Sequence, residues 1–236
     1  MPKTKKPGSP AKKAAKTQKT STAKVQGKKM KAKLAKPVKL SKKKHLQPGT
    51  GELTERAQVL SSEVVYQGPL FRVTKDKIIE PSGTESVRDI VRHNGSAVIL
   101  AVDSSKSKKD PWIVIERQFR HAANQFLWEL PAGTLDPGED PLVGAQRELE
   151  EETGYRAKKW KPLVQYYASP GFLGEAMNVY LAEGLVAGDA RPEEDEDIDF
   201  RLVKLSELLK MIRKGAILDG KTATSVLLYH DLMRNK

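Results

Sequence analysis

From about residue 60 onward, short apolar runs rich in Val and Ile alternate with turn signals, the pattern of a sheet-rich domain. Strands are predicted at 63–66, 71–79, 86–92, 97–102, 112–119 and 126–130, and again at 161–167, 177–185 and 200–204. Ser82-Gly83 and Asn94-Gly95 read as turns between them, and 103–111 as a polar loop. Helical periodicity takes over in three places. Two predicted helices, 205–214 and 223–233, close the chain. The third lies in the middle: Pro141 can open it where a missing N–H costs nothing, and Gly154 can end it. Within it Leu142, Ala145 and Leu149 form an apolar stripe at spacings of three, four and seven. Strands on both sides of a central amphipathic helix predict a mixed sheet with helices packed on its faces.

Beside that stripe Glu148, Glu151 and Glu152 project together. Three carboxylates on consecutive turns repel one another unless something positive lies near, and Arg147, four residues before Glu151, can neutralise only one. The remainder calls for a hard divalent cation. Mg2+ prefers oxygen ligands, keeps several waters and bridges carboxylates to substrate phosphates, so a phosphate compound is the expected substrate. Mn2+ is the expected substitute.

Charge is distributed unevenly along the 236 residues. The first 48 contain seventeen Lys and neither Arg, acid nor aromatic, so they carry +17 of a formal net charge of +12 and leave the rest near −5. Such a segment buries too little apolar surface to offset its chain entropy. The expected organisation is a disordered Lys-rich tail at 1–48, a linker at 49–59 and one folded domain at 60–236. The tail suits nonspecific nucleic-acid binding through phosphate neutralisation, and without interleaved aromatics it lacks a platform for base recognition. The absence of cysteine excludes disulfides, zinc thiolates and a cysteine nucleophile. No apolar run approaches a membrane span or a signal-peptide core, which leads us to expect a cytoplasmic protein with no membrane partner.

Residues 133–155 fill a longer pattern. In G-x5-E-x7-R-E-U-x-E-E-x-G-U, with U a bulky apolar residue, the fixed positions are Gly133, Glu139, Arg147, Glu148, Leu149, Glu151, Glu152, Gly154 and Tyr155. This is the signature of the Nudix hydrolases, and the chain resembles that family; only Tyr155 is off type, an aromatic where an aliphatic is usual. The resemblance implies an α/β fold, an α/β/α sandwich with a mixed sheet, over roughly residues 60–236.

The flanks resemble ADP-ribose pyrophosphatases. The likeness is carried by Trp128-Glu129-Leu130-Pro131-Ala132-Gly133, by Gln118-Phe119-Arg120 before it, by Ser169-Pro170-Gly171-Phe172 after it and by the acidic stretch 193–199. It implies metal binding by Glu148 and Glu152, with Glu151 assisting and the Ala132 carbonyl completing the site. Arg147 is placed with the catalytic group. Arg120 looks like the arginine that holds the diphosphate, a task suited to a planar guanidinium. Arg88 and Asp89 resemble a pair that reaches substrate across a dimer interface. The general base is expected at Glu194, with Glu196 an extra metal ligand; Glu175, just after the Ser-Pro-Gly-Phe turn, competes for either role and is counted among the substrate contacts. Tyr66 or Phe71 could stack on an adenine, though a core or strand role is favoured for both.

The resemblance thus implies a homodimeric enzyme that cleaves the diphosphate of ADP-ribose to AMP and ribose 5-phosphate. A rival within the class cleaves nucleotide sugars or other nucleoside diphosphate compounds. From another class comes a nucleic-acid-associated protein working through its tail, and between them an enzyme acting on capped or triphosphorylated RNA.

Overall fold

The computed structural model describes residues 56–190 and 198–235. A three-stranded antiparallel sheet comes first: β1 (Gln58–Gln67), β2 (Arg72–Ile79) and β3 (Glu85–Arg92), in that order. β1 starts two residues inside the stretch read as linker. Along β2 the buried positions Thr74, Asp76 and Ile78 alternate with outward ones, as one covered face requires. The Asp76 carboxylate accepts from Ser62 Oγ of β1 at 2.6 Å and pairs with Arg92 of β3 at 2.5 Å, fastening all three strands together.

Seven more strands form the second sheet: β4 (Ser96–Asp103), β5 (Trp112–Arg120), β6 (Gln125–Glu129), β7 (Ala132–Thr134), β8 (Arg156–Tyr167), β9 (Ala176–Val186) and β10 (Asp199–Lys204). Their order is β10-β5-β4-β9-β8, with β6 added to β5 and β7 to β4. The β4–β9 pair is parallel and the remaining pairs are antiparallel, so the sheet is mixed, as expected. Three helices cover it: α1 (Pro141–Thr153), α2 (Leu205–Arg213) and α3 (Gly220–Arg234).

β4 is buried along nearly its whole length, which is why its sequence reads as an unbroken apolar run. Its residues divide by parity. Ala97, Ile99 and Ala101 pack with Ala145 and Leu149 of α1, whereas Val98, Leu100 and Val102 pack with Leu208 of α2 and Val226 of α3. That division is the α/β/α sandwich. Tyr155, the off-type residue of the signature, joins the α1 side and meets Phe200 edge-on at 6.1 Å, so an aromatic fills the aliphatic position.

Besides β1, which starts at Gln58 instead of 63, three elements depart from the sequence reading. β7 was not predicted, because Ala-Gly-Thr has no strand signal of its own and is held by pairing with β4 from Ser96 to Val98. β8 starts at Arg156 instead of 161, since exposed Lys158 and Lys159 mask the inward Ala157 and Trp160. α3 starts at Gly220 instead of 223, capped by Asp219, whose carboxylate accepts from the Thr222 amide at 2.9 Å. Among the described residues no helix is long and apolar enough to cross a membrane.

Candidate active site

The carboxylates of α1 are placed by the helix ends and by β7. Asp140 caps the N-terminus, accepting from the amides of Leu142 (2.8 Å) and Val143 (3.4 Å), and Gly154 ends the helix with φ 69°. Burial of Ala145 and Leu149 against β4 fixes the rotation of the helix, which carries Glu148 and Glu152 inward to β7. There the Ala132 amide donates to Glu152 Oε2 at 3.1 Å. A Cβ on Gly133 would lie 2.0 Å from the carboxylate carbon of Glu148, so a side chain there would displace that carboxylate from its place against β7.

Arg147 does more than the sequence reading allowed. It reaches three carboxylates, not one: Glu139 through Nε and Nη2 (both 3.2 Å), Glu148 at 2.8 Å and Glu151 at 3.0 Å, both through Nη1. Its Nη2 also donates to the Thr134 carbonyl at 3.4 Å, which ties helix, loop and β7 together. Hydrogen bonding to Glu139 is the largest cause of the upward shift in its pKa, and the charge on Glu148 adds to it. Bonded to Arg147 and to the Asp136 amide, Glu139 is held below the usual carboxylate range.

Beside β7 opens a cavity of about 890 Å³ whose wall includes Arg120, Ala132, Gly133, Glu175 and Lys221. Arg120 ends β5 and makes a two-pronged pair with Glu129 of β6, 2.9 Å on each prong, across a ladder that sets Glu116 opposite Glu129. Lys221 of α3 bonds the same Glu129 carboxylate. Burial opposes ionisation of Glu129, but these two cations outweigh it and hold its pKa down. Glu116 is wholly buried, and burial followed by the Glu129 charge raises its pKa to about 7 against the pull of Lys221 and Arg120. Neither Glu116 oxygen has a well-formed hydrogen-bond partner among the described residues, although Glu152 is close enough to influence it.

Sequence reasoning missed Glu116, Glu129 and Lys221 as site residues. Glu129 lay in plain view before Leu130-Pro131-Ala132-Gly133; an acid in the middle of the apolar run Trp112–Phe119 was the available signal for Glu116; nothing local marked Lys221.

Of the other expected residues, Glu175 lines the cavity and accepts from Ser96 Oγ at 2.6 Å. The Ser-Pro-Gly-Phe turn docks on β3, with the Val91 amide donating to the Phe172 carbonyl at 2.8 Å, and this brings Phe172 and Leu173 to the cavity beside Leu70 and Phe71. Tyr66 and Phe71, favoured as core or strand residues, are both exposed, with ring centroids 5.6 Å apart, and Phe71 lines the cavity. Arg88 and Asp89 lie on β3 away from the cavity wall of their own chain, Arg88 paired with Glu80 at 2.5 Å. Glu194 and Glu196 lie outside the described residues.

The residue types suit a hard cation. The carboxylates of Glu148 and Glu152 face β7, where the absence of a side chain on Gly133 leaves room for Glu148 and the Ala132 amide bonds Glu152, while Glu151 is held by Arg147. Among the described residues no three acidic or His side chains converge as ready-made ligands, and the Arg147 guanidinium bridges Glu148 and Glu151.

Known protein families match the chain over both sheets. Residues 92–222 match the NUDIX domain model, and residues 58–91, the three-stranded sheet, match the nucleoside diphosphate sugar hydrolase N-terminal domain. The chain is 37% identical to the ADP-ribose pyrophosphatase of Bacillus subtilis, over 72% of this chain and 90% of that one. It is 36% identical to the methanol dehydrogenase activator of Bacillus methanolicus, over 75% and 93%. A crystal structure of an ADP compounds hydrolase shares the fold with a TM-score of 0.64 at 19% identity, over 77% of this chain and 96% of that one. Nudix hydrolases use divalent metal cations. With the signature filled, the sandwich formed and the domain model matched over 92–222, the chain belongs to the Nudix hydrolase family.

Proposed function

We propose that this enzyme uses Mg2+, with Mn2+ able to substitute, to hydrolyse the diphosphate linkage of ADP-ribose to AMP and ribose 5-phosphate. The observation that carries this reading is a cavity walled by Arg120 and by β7, against which Glu148 and Glu152 are packed. A cation can therefore be held within reach of a diphosphate that an arginine binds. The likeness to an ADP-ribose pyrophosphatase over most of both chains supports the substrate.

When bound, the metal supplies charge neutralisation of the diphosphate and a more acidic water. Glu148, Glu152 and the Ala132 carbonyl would hold it, with Glu151 assisting and Arg147 fixing the spacing of Glu148 and Glu151. Arg120 would bind the diphosphate and stabilise charge on the leaving phosphate. Glu194 is the proposed base and Glu196 a further ligand; Glu175, oriented by Ser96, would contact substrate. Apolar Leu70, Phe71, Phe172 and Leu173 in the cavity wall suit a nucleobase.

The proposed assembly is a homodimer in the cytoplasm. Val59, Val64 and Val65 expose about half of their surface on β1, an edge strand of a kind that a second copy would cover, and Arg88 and Asp89 on the same sheet would then reach the partner's cavity. The Lys-rich segment 1–48, outside the described residues, favours a second activity, nonspecific nucleic-acid binding.

The test is phosphate release, coupled to phosphatase, from ADP-ribose, UDP-glucose, GDP-mannose and triphosphorylated RNA, with and without Mg2+, for wild type and Glu152→Gln. Metal-dependent cleavage of ADP-ribose that collapses in the variant is expected. Preference for a nucleotide sugar would move the substrate to the class named by the N-terminal domain model, and inactivity on every diphosphate would refute the reading.

A further inference from the structure

Glu129 and Lys221 have no role in the chemistry above, yet they are the most deeply buried ion pair among the described residues. Glu129 is 1% exposed and holds two cations: Arg120 through paired 2.9 Å bonds, and Lys221 through Nζ. The Lys221 side chain is itself only 10% exposed, with Asp219 as its second carboxylate at 3.2 Å. Its placement is rigid. The Leu130 amide, next to Glu129 in sequence, donates to Thr222 Oγ1 at 2.7 Å, so the first turn of α3 is bonded to the peptide that follows β6.

One guanidinium would already neutralise this carboxylate, and a buried Glu–Arg pair alone would present no net charge to the cavity. Adding Lys221 changes the sum. With Asp219 counted, the four groups are neutral when Lys221 is present and carry one negative charge without it, so the ammonium is what keeps the carboxylates of this wall from outweighing the charge of Arg120. Arg120 commits Nε and Nη2 to Glu129, which leaves the Nη1 edge of a side chain 38% exposed as the donor through which that charge is offered.

We propose that Glu129 and Lys221 are positioning residues for Arg120: the carboxylate sets the plane of the guanidinium, and the ammonium offsets the carboxylate so that the charge of Arg120 remains available to phosphate oxygens. This rests on the reading of the cavity as a diphosphate site. Without Lys221, Glu129 would cancel Arg120. Without Glu129, two like charges would repel and the guanidinium would lose its orientation.

A mutant cycle tests the pair. Lys221→Met, Arg120→Ala and the double variant are compared in kcat and KM on whichever nucleoside diphosphate compound the wild type cleaves, with melting curves recorded for each. Lys221→Met should raise KM about tenfold with a smaller change in kcat, Lys221→Arg should recover most of the loss, and in the Arg120→Ala background Lys221→Met should cost less than about threefold. Equal costs in both backgrounds, or no cost in either, would overturn the proposal. Should Lys221→Met fail to fold, the isosteric Glu129→Gln takes its place in the same cycle, with the same criterion. A wild type inactive on ADP-ribose alone leaves the cycle readable on another diphosphate. If no diphosphate is cleaved, binding of inorganic pyrophosphate measured by calorimetry replaces KM, and a loss of less than about threefold in Lys221→Met overturns the pair.

Discussion

Gly133→Ala isolates the contact that shapes the carboxylate site. The added Cβ would stand 2.0 Å from Cδ and Oε1 of Glu148 and 2.4 Å from Oε2, so one partner must move. β7 cannot retreat easily, because Gly133 pairs with Ala97 on a strand buried on both faces and the adjacent Ala132 amide is bonded to Glu152. α1 is held by Ala145 and Leu149 in the core. The side chain of Glu148 is therefore the part that yields, and swinging it away breaks its 2.8 Å bond to Arg147. Overpacking costs about 1–3 kcal/mol and a lost hydrogen bond to a charged group about 1.5–3 kcal/mol, partly recovered as the freed groups meet water, so a net loss of about 2 kcal/mol is expected. For a domain of this size that lowers Tm by roughly 4–8 °C. Activity should suffer more if Glu148 is the metal ligand proposed above, since misplacing such a group by 1 Å or more costs on the order of 100-fold in kcat/KM. Melting followed by circular dichroism and steady-state hydrolysis measure the two effects. A variant retaining kcat/KM within about threefold of wild type would show that Glu148 does not need this position.

Leu149→Ala removes a wholly buried side chain between α1 and β4 and should cost about 3 kcal/mol in urea denaturation; a loss under about 1 kcal/mol would mean that the helix is not seated on the sheet as described. Glu116 supplies a pH test. Its folded pKa lies near 7, above the ordinary value of 4.5, so its contribution to stability is present below about pH 4.5 and is lost as pH rises through 7. Glu116→Gln, which mimics the protonated form, should thus gain stability relative to wild type between pH 5 and pH 8, by up to about 3 kcal/mol, and a difference that is flat in pH would refute the assignment.

The helix α1 was legible in the sequence, and little of what surrounds it was. Helix, cap and carboxylates are all local: Pro141, Gly154 and the spacing of Glu148, Glu151 and Glu152 are fixed within one element, so periodicity reveals them. β4 was legible for the opposite reason, burial on both faces leaving no polar position to obscure it. Arg147 was underread because its bond to Glu151 follows helix spacing while its bonds to Glu139 and Thr134 depend on the loop folding back. Lys221 was invisible. Its partner Glu129 lies 92 residues away, and what joins them is the docking of α3 on the peptide after β6, a tertiary fact with no local trace. The three-stranded sheet was found strand by strand, but β1 is exposed along its whole length, so no buried face marked where it begins.

Charge in the site points the same way as the signature. Arg147 serves Glu139, Glu148 and Glu151, and Arg120 and Lys221 share Glu129, while Glu116 and Glu152 stand close behind. Carboxylates therefore outnumber cations, an excess of negative charge. A divalent cation that binds the folded site and not the unfolded chain relieves it, and at 100 times its Kd contributes about 2.7 kcal/mol, equivalent to roughly 5–10 °C in Tm. Glu152→Gln removes one negative charge from the folded site, so its Tm without metal should match or exceed that of wild type while most of the metal-induced rise disappears. Equal rises in wild type and variant would place the cation elsewhere, because relief of the excess and ligation by Glu152 would then be separate events.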